Sequence, residues 1–130
     1  MKKMKIIARS LILLSLFAFT SFDLFDEISQ SIRSGDAHSL SRYFGTNVDL
    51  TIINQQEVYS KTQAEQLLKD FFSKNYPVSF EIIHRGVSKE GSQYAIGKYT
   101  SVQGTTYRTY FYIKQNNNTY FIQELRFMAE

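Results

Sequence analysis

Two hydrophobic rhythms alternate along the chain. Between Asp23 and Ser34, the residues Leu24, Phe25, Ile28 and Ile32 recur at the spacing of one helical face. Ser21 or Asp23 can cap that helix, and Asp26 and Glu27 suit its positive end. Gly35 falls where a helix turns left-handed to stop. Asp36 can then cap a second helix over Ala37 to Phe44, with Ala37, Leu40, Tyr43 and Phe44 inward. Gly45-Thr46-Asn47 reads as a turn. Val48, Leu50 and Ile52 alternate with Asp49, Thr51 and Ile53, the period of a strand. Asn54-Gln55-Gln56 is a polar turn, and Glu57 to Tyr59 a short partner strand. Ser60 with Gln63 forms a capping box, and Tyr59 with Ala64 a hydrophobic staple. They open a third helix whose stripe is Ala64, Leu67, Leu68, Phe71 and Phe72, and Pro77 forbids its continuation.

From Val78 to Phe127 the rhythm becomes two-residue, interrupted by turns at Lys89–Ser92, Gln103-Gly104 and Asn116–Asn118. Four long antiparallel strands follow. In the first, Phe80, Ile82 and His84 share a phase, opposite Ser79, Glu81, Ile83, Arg85 and Val87. In the second, Tyr94, Ile96, Lys98 and Thr100 oppose Ala95, Gly97, Tyr99 and Ser101. In the third, Tyr107, Thr109, Phe111 and Ile113 oppose Arg108, Tyr110, Tyr112 and Lys114. The fourth groups Phe121, Gln123, Leu125 and Phe127. Phe80, Ile96, Phe111, Leu125 and Phe127 are the expected inner face. Gly97, inside a strand, marks a bulge, a bend or a close approach.

The N-terminus changes how charge is read. Lys2, Lys3, Lys5 and Arg9 precede the apolar run Leu11 to Phe19, with Ala18 and Thr20 small residues before a cut. This is the pattern of a secretory leader over 1–20, too short to span a bilayer. One domain over 21–130 is then expected, exported to the periplasm or beyond, with no membrane anchor after cleavage. The chain has 15 Lys and Arg against 12 Asp and Glu, net +3. Without the leader's four bases it has 11 against 12, net −1. That removes the charge argument for a nucleic-acid partner. There is no cysteine, so the fold must stand on its hydrophobic core rather than on disulfides.

The order helix, helix, short hairpin, long helix and four antiparallel strands resembles the nuclear transport factor 2-like superfamily. So do the corner Ser34 to Phe44, "SGDAHSLSRYF", and the ending Leu125 to Phe127, "LRF". The chain is similar in particular to short secreted bacterial proteins of this fold that carry no assigned function. The resemblance implies an α+β, cystatin-like cone, with three N-terminal helices packed on a strongly curved antiparallel sheet. Relatives of that fold catalyse in the cone interior, bind ligands there, or dimerise through the outer sheet face. Fold alone does not choose among these.

Candidate chemistry is sparse. His84, in phase with Phe80 and Ile82, is the one catalytic candidate, as an acid or base lining the cone. His38 reads as solvated. Tyr43, His84 and Gln123 are the candidate ligand contacts, for a small apolar or amphipathic molecule. Tyr99, Arg108, Tyr110 and Tyr112 are the candidate interface residues for a homodimer through the sheet, since Tyr and Arg are favoured at interfaces. Asp49 reads as a solvated strand residue. Glu81 and Glu124 are expected on the less buried sheet face, with Arg85, Arg108 and Arg126 as ion-pair partners. No metal set, cofactor motif, phosphate loop or nucleophile elbow is present in the sequence. The expected function is a non-catalytic binding module or small dimer. The alternatives are a small isomerase, dehydratase or hydrolase, and a structural envelope protein with a filled core.

Overall fold

The computed structural model describes residues 23–88 and 90–130, so the expected leader lies outside the described residues. The first helix, α1 (Leu24–Arg33), starts where Asp23 accepts a 3.0 Å hydrogen bond from the Phe25 amide. Its apolar stripe buries Phe25, Ile28 and Ile32. It stops at Gly35, whose φ of +65° suits a residue without a side chain. Asp36 then caps α2, which spans only Ala37–Ser41. The expected helix ran on to Phe44; instead Phe44 opens β1 (Phe44–Ile52), which absorbs the expected turn at Gly45–Asn47. The hairpin partner β2 (Gln55–Ser60) is longer at its start than expected, because the reversal uses only Ile53 and Asn54.

The third helix, α3 (Lys61–Lys74), carries the capping box of Ser60 and Gln63 in both directions. The helices are therefore two short ones, then the hairpin, then a long one. Four strands complete the chain: β3 (Pro77–Val87), β4 (Gln93–Ser101), β5 (Thr106–Asn116) and β6 (Thr119–Ala129).

All six strands form one curved sheet in the order β2-β1-β6-β5-β4-β3. The sheet is mixed rather than antiparallel throughout, since β1 lies parallel to β6, with Leu50 opposite Leu125 and Ile52 opposite Phe127. The early hairpin thus extends the meander's sheet instead of covering its face.

Against the inner face lies α3, and the space between is filled by aromatic rings. Phe71 approaches Phe127 at 4.8 Å, Tyr107 at 5.3 Å and Tyr99 at 5.7 Å between centroids. Phe72 adds contacts to Tyr99 and Phe127. Such pairs contribute about 0.5–1.5 kcal/mol each beyond their burial. The two buried phenols both reach Asn75 at the end of α3. Tyr99 donates to its carbonyl, and Tyr107 to its Oδ1 at 2.7 Å. One asparagine thus satisfies both polar atoms that the aromatic core contains at this end.

Gly97 is a close approach, as its place in a strand suggested. A Cβ there would stand 2.5 Å from the Phe80 ring and 2.9 Å from the Glu81 carbonyl.

Candidate functional site

Three places on a domain of this shape can hold chemistry: the interior, the clefts around it, and the outer face of the sheet. Two bulges decide which residues occupy which. The β3–β4 register shifts between Ile82 and His84, leaving Ile83 unpaired. Phe80 and Ile82 face inward, but His84 sits across from Ile96 on the outer face, exposed, with its ring 6.3 Å from Tyr94. Strict alternation put His84 inside; the inserted residue turns it out, so the interior acid–base role assigned through that phase does not hold. Arg85 moves the other way. It stacks on Phe25 at 5.1 Å and donates to Asp23 at 2.8 Å, away from the outer-face ion pairs expected of it.

A second shift, in β6 beside Tyr112 and Ile113, leaves Gln123 as the extra residue. Ile122 is consequently buried, Gln123 is exposed, and Phe121 joins the outer side, so Gln123 does not reach the interior as expected. In β4 the inner residues are Ala95, Gly97 and Tyr99, all buried, while Ile96 faces out. The expectation reversed both Ile96 and Tyr99. Tyr99, proposed for an interface, is 0% exposed. Burial, first of all, raises its phenol pKa above the usual tyrosine value.

Tyr43 is half-buried beside α1, where its hydroxyl donates to Glu27 at 3.2 Å and its carbonyl accepts the Ile122 amide. Burial and then the Glu27 charge raise its pKa. It does not line the cleft between the β1–β2 hairpin and α3. Asp49 lies on the outer face and accepts from Gln56 at 3.3 Å.

His38 is exposed, as expected, but it is not isolated. Its Nδ1 lies 3.4 Å from Glu65, and the buried Ser41 hydroxyl donates to the same carboxylate oxygen at 2.7 Å. That bond from Ser41, with His38 in support, holds the Glu65 carboxyl below its ordinary range. Ser41 bonds the carboxylate and not the imidazole, so this is a latch between α2 and α3 rather than an activated nucleophile. One hint was legible beforehand, the inward placing of Ala37 and Leu40, which sets Ser41 on the same side.

The outer face is organised in rows across the strands. One row runs His84, Ile96, Tyr110, Arg126 and Thr51; the next runs Tyr94, Tyr112, Glu124, Asp49 and Val58. Arg126 lies over the Tyr110 ring at 5.3 Å and pairs with Glu124 at 2.5 Å. Tyr94 and Tyr110 stand 6.4 Å apart. The Tyr110 phenol pKa is raised by burial first and by Glu124 second. Arg108 lies exposed on this face beside Lys98. Two polar atoms of the first row, the Arg126 Nε and the Thr51 hydroxyl, are buried without a hydrogen-bond partner.

On the inner side, an open cleft of about 350 Å³ remains between the β1–β2 hairpin and α3. Its floor is Leu50, Ile52, Leu67 and Phe71, and its mouth carries Ile53, Asn54, Gln55, Tyr59, Asp70, Lys74 and Asn75. Among the described residues there is no group of three or more His, Cys, Asp or Glu that could hold a metal, and no helix long and apolar enough to cross a membrane.

Comparison with known proteins agrees with this architecture. The family model described as a domain of unknown function, DUF4783, matches residues 25–128. A solved DUF4783 protein from Bacteroides uniformis superposes with a TM-score of 0.77 at 26% identity, covering 83% of this chain and 98% of that one. One from Bacteroides fragilis gives 0.74 at 28% identity, covering 85% and 100%. An NTF2-like protein of unknown function from Shewanella baltica gives 0.62 at 7% identity, covering 82% and 87%, a likeness of fold alone. No curated protein matches the chain. On the match over nearly all of its described length, the chain belongs to the DUF4783 family, a domain of unknown function with the nuclear transport factor 2-like fold.

Proposed function

We propose that this domain is an exported, non-catalytic interaction module that pairs with a second copy of itself through the outer face of its sheet. The observation that carries the reading is the central row of that face, where the Arg126 guanidinium lies over the Tyr110 ring, with Tyr94 6.4 Å from Tyr110 in the next row. Tyr and Arg are enriched at the centre of protein interfaces, and a partner laid on the face would cover this cluster.

Charge on the face is asymmetric: Lys98 and Arg108 lie directly opposite each other on one side of the aromatic centre, with Glu81 beside Lys98, and Asp49 and Glu124 lie on the other, Glu124 paired with Arg126. A two-fold axis lying diagonally across the rows would set Lys98 and Arg108 on the partner's Glu124 and Asp49, as a self-complementary interface requires. The size fits too. The β4, β5, β6 and β1 strands make a platform of roughly 600 Å², approaching the roughly 800 Å² per partner of a standard interface. The interior, in contrast, is occupied by Phe71, Phe72, Tyr99, Tyr107 and Phe127. Export is supported by the basic and apolar pattern of 1–20.

Methyl NMR with a dissolved nitroxide tests the pairing. The Ile96 and Met128 methyls, on the outer face, are expected to be shielded from broadening at high protein concentration and to broaden on dilution. Equal broadening at every concentration would remove the proposal.

A further inference from the structure

The cleft between the β1–β2 hairpin and α3 lies on the opposite side of the sheet from the face proposed for pairing, and neither reading depends on the other. We infer that it is a binding site for an uncharged, ring-sized amphiphile, with an apolar body against Leu50, Ile52, Leu67 and Phe71 and a hydroxyl or amide at the mouth.

Size, charge and backbone geometry each bear on this. The volume of about 350 Å³ suits a molecule of about one or two rings. The lining is apolar below and polar only at the rim, the distribution of sites that bury a ligand's body and orient its head. The rim's two charged groups neutralise each other, with Lys74 Nζ 3.1 Å from Asp70 Oδ2. What remains for a ligand head is the Asn54 and Gln55 amides and the Tyr59 phenol, which recognise neutral hydrogen-bonding groups. The rim thus offers a charged head no net counter-charge to offset its loss of water.

The third observation is Ile53. It has φ of +60°, a left-handed conformation that a β-branched residue rarely adopts. Its amide is pinned there by a 2.7 Å hydrogen bond to the Phe127 carbonyl. The result is an apolar side chain at the lip of the cleft, 41% exposed. Gly would make this two-residue turn without strain. A strained backbone that holds an isoleucine in water gains from a ligand that covers it, and strain of this kind gathers at ligand clamps.

Amide-resolved NMR titration with naphthol tests the site, with naphthoate and naphthylmethylamine as charged counterparts of the same body. The expected result is saturable shifts at Ile53, Gln55, Tyr59 and Leu67, with naphthol binding more tightly than either charged probe. Leu67→Trp, which fills the floor, should abolish the shifts. Ile53→Gly removes both the lip and the strain, so it should melt no lower than the parent while binding naphthol about ten-fold more weakly. Because that variant remains folded, it keeps the test decisive even if Leu67→Trp does not fold. The inference is overturned if naphthol leaves these amides unmoved at millimolar concentration. It is overturned equally if a charged probe binds tighter, or if Ile53→Gly binds as the parent does.

Discussion

Gly97 is one point where a single atom sets the shape of the sheet. The Phe80 ring occupies the space a side chain would need, and the β3 bulge begins one residue beyond Ile82, the partner of Gly97. Gly97→Ala must push back both that ring and the Glu81 carbonyl. It should cost about 1–3 kcal/mol in denaturant unfolding, and an unchanged midpoint would refute the packing described. Tyr99 works differently. Its hydroxyl donates to the carbonyl of Asn75, so Tyr99→Phe should cost about 1 kcal/mol. Its phenol pKa in the folded state lies above the unfolded value, so its contribution is complete below about pH 10 and is lost as pH rises further. The parent's stability should therefore fall on the alkaline side, and that of Tyr99→Phe should fall less steeply, by thermal melts from pH 8 upward. At this scale sequence reading failed mainly at bulges. His84 and Gln123 were placed by strict alternation, and each lies at or just past an inserted residue that no periodicity reveals. Tyr99 failed for another reason. Its own strand is regular, but aromatic content does not say which face is the core.

The helices were the most readable elements, because their ends carry chemistry. Asp23, Asp36 and the Ser60–Gln63 box act as the caps expected of them. Ser60→Ala should cost about 1 kcal/mol, read from the unfolding midpoint. The length of α2 was not readable, since Tyr43 and Phe44 fit an apolar helical face as well as the start of a strand. So short a helix is held by its buried Ala37 and Leu40 and by a polar latch to α3. The carboxyls of Asp36, bonded by the Ser39 amide, and Glu65, bonded by Ser41, both have folded pKa values below their ordinary ones. Such groups stabilise the fold above their unfolded pKa, near 4, and lose that contribution as pH falls through the folded value. The melting-temperature difference between the parent and Glu65→Gln should therefore be largest at neutral pH and shrink toward pH 2. A difference that stays constant would show that the latch is not electrostatic.

At the scale of the molecule, the order of elements was enough to anticipate a curved sheet wrapped on a long helix. The parallel join of β1 to β6 was not, because it links segments some seventy residues apart and local pattern has no access to such pairings. That join matters for function. It places Asp49 and Thr51 beside Glu124 and Arg126 and so completes the rows of the outer face. The aromatic and arginine-rich character of that face was visible in Arg108, Tyr110 and Tyr112; the placing of Lys98 and Arg108 on one side of it and of Asp49 and Glu124 on the other was not. The central claim is that this face pairs two copies, and the most direct test is sedimentation equilibrium of residues 21–130 beside a Tyr110→Glu variant. The expected result is a parent mass that rises to twice the monomer with concentration, while the folded variant stays monomeric. A parent that remains monomeric up to millimolar concentration would contradict the account.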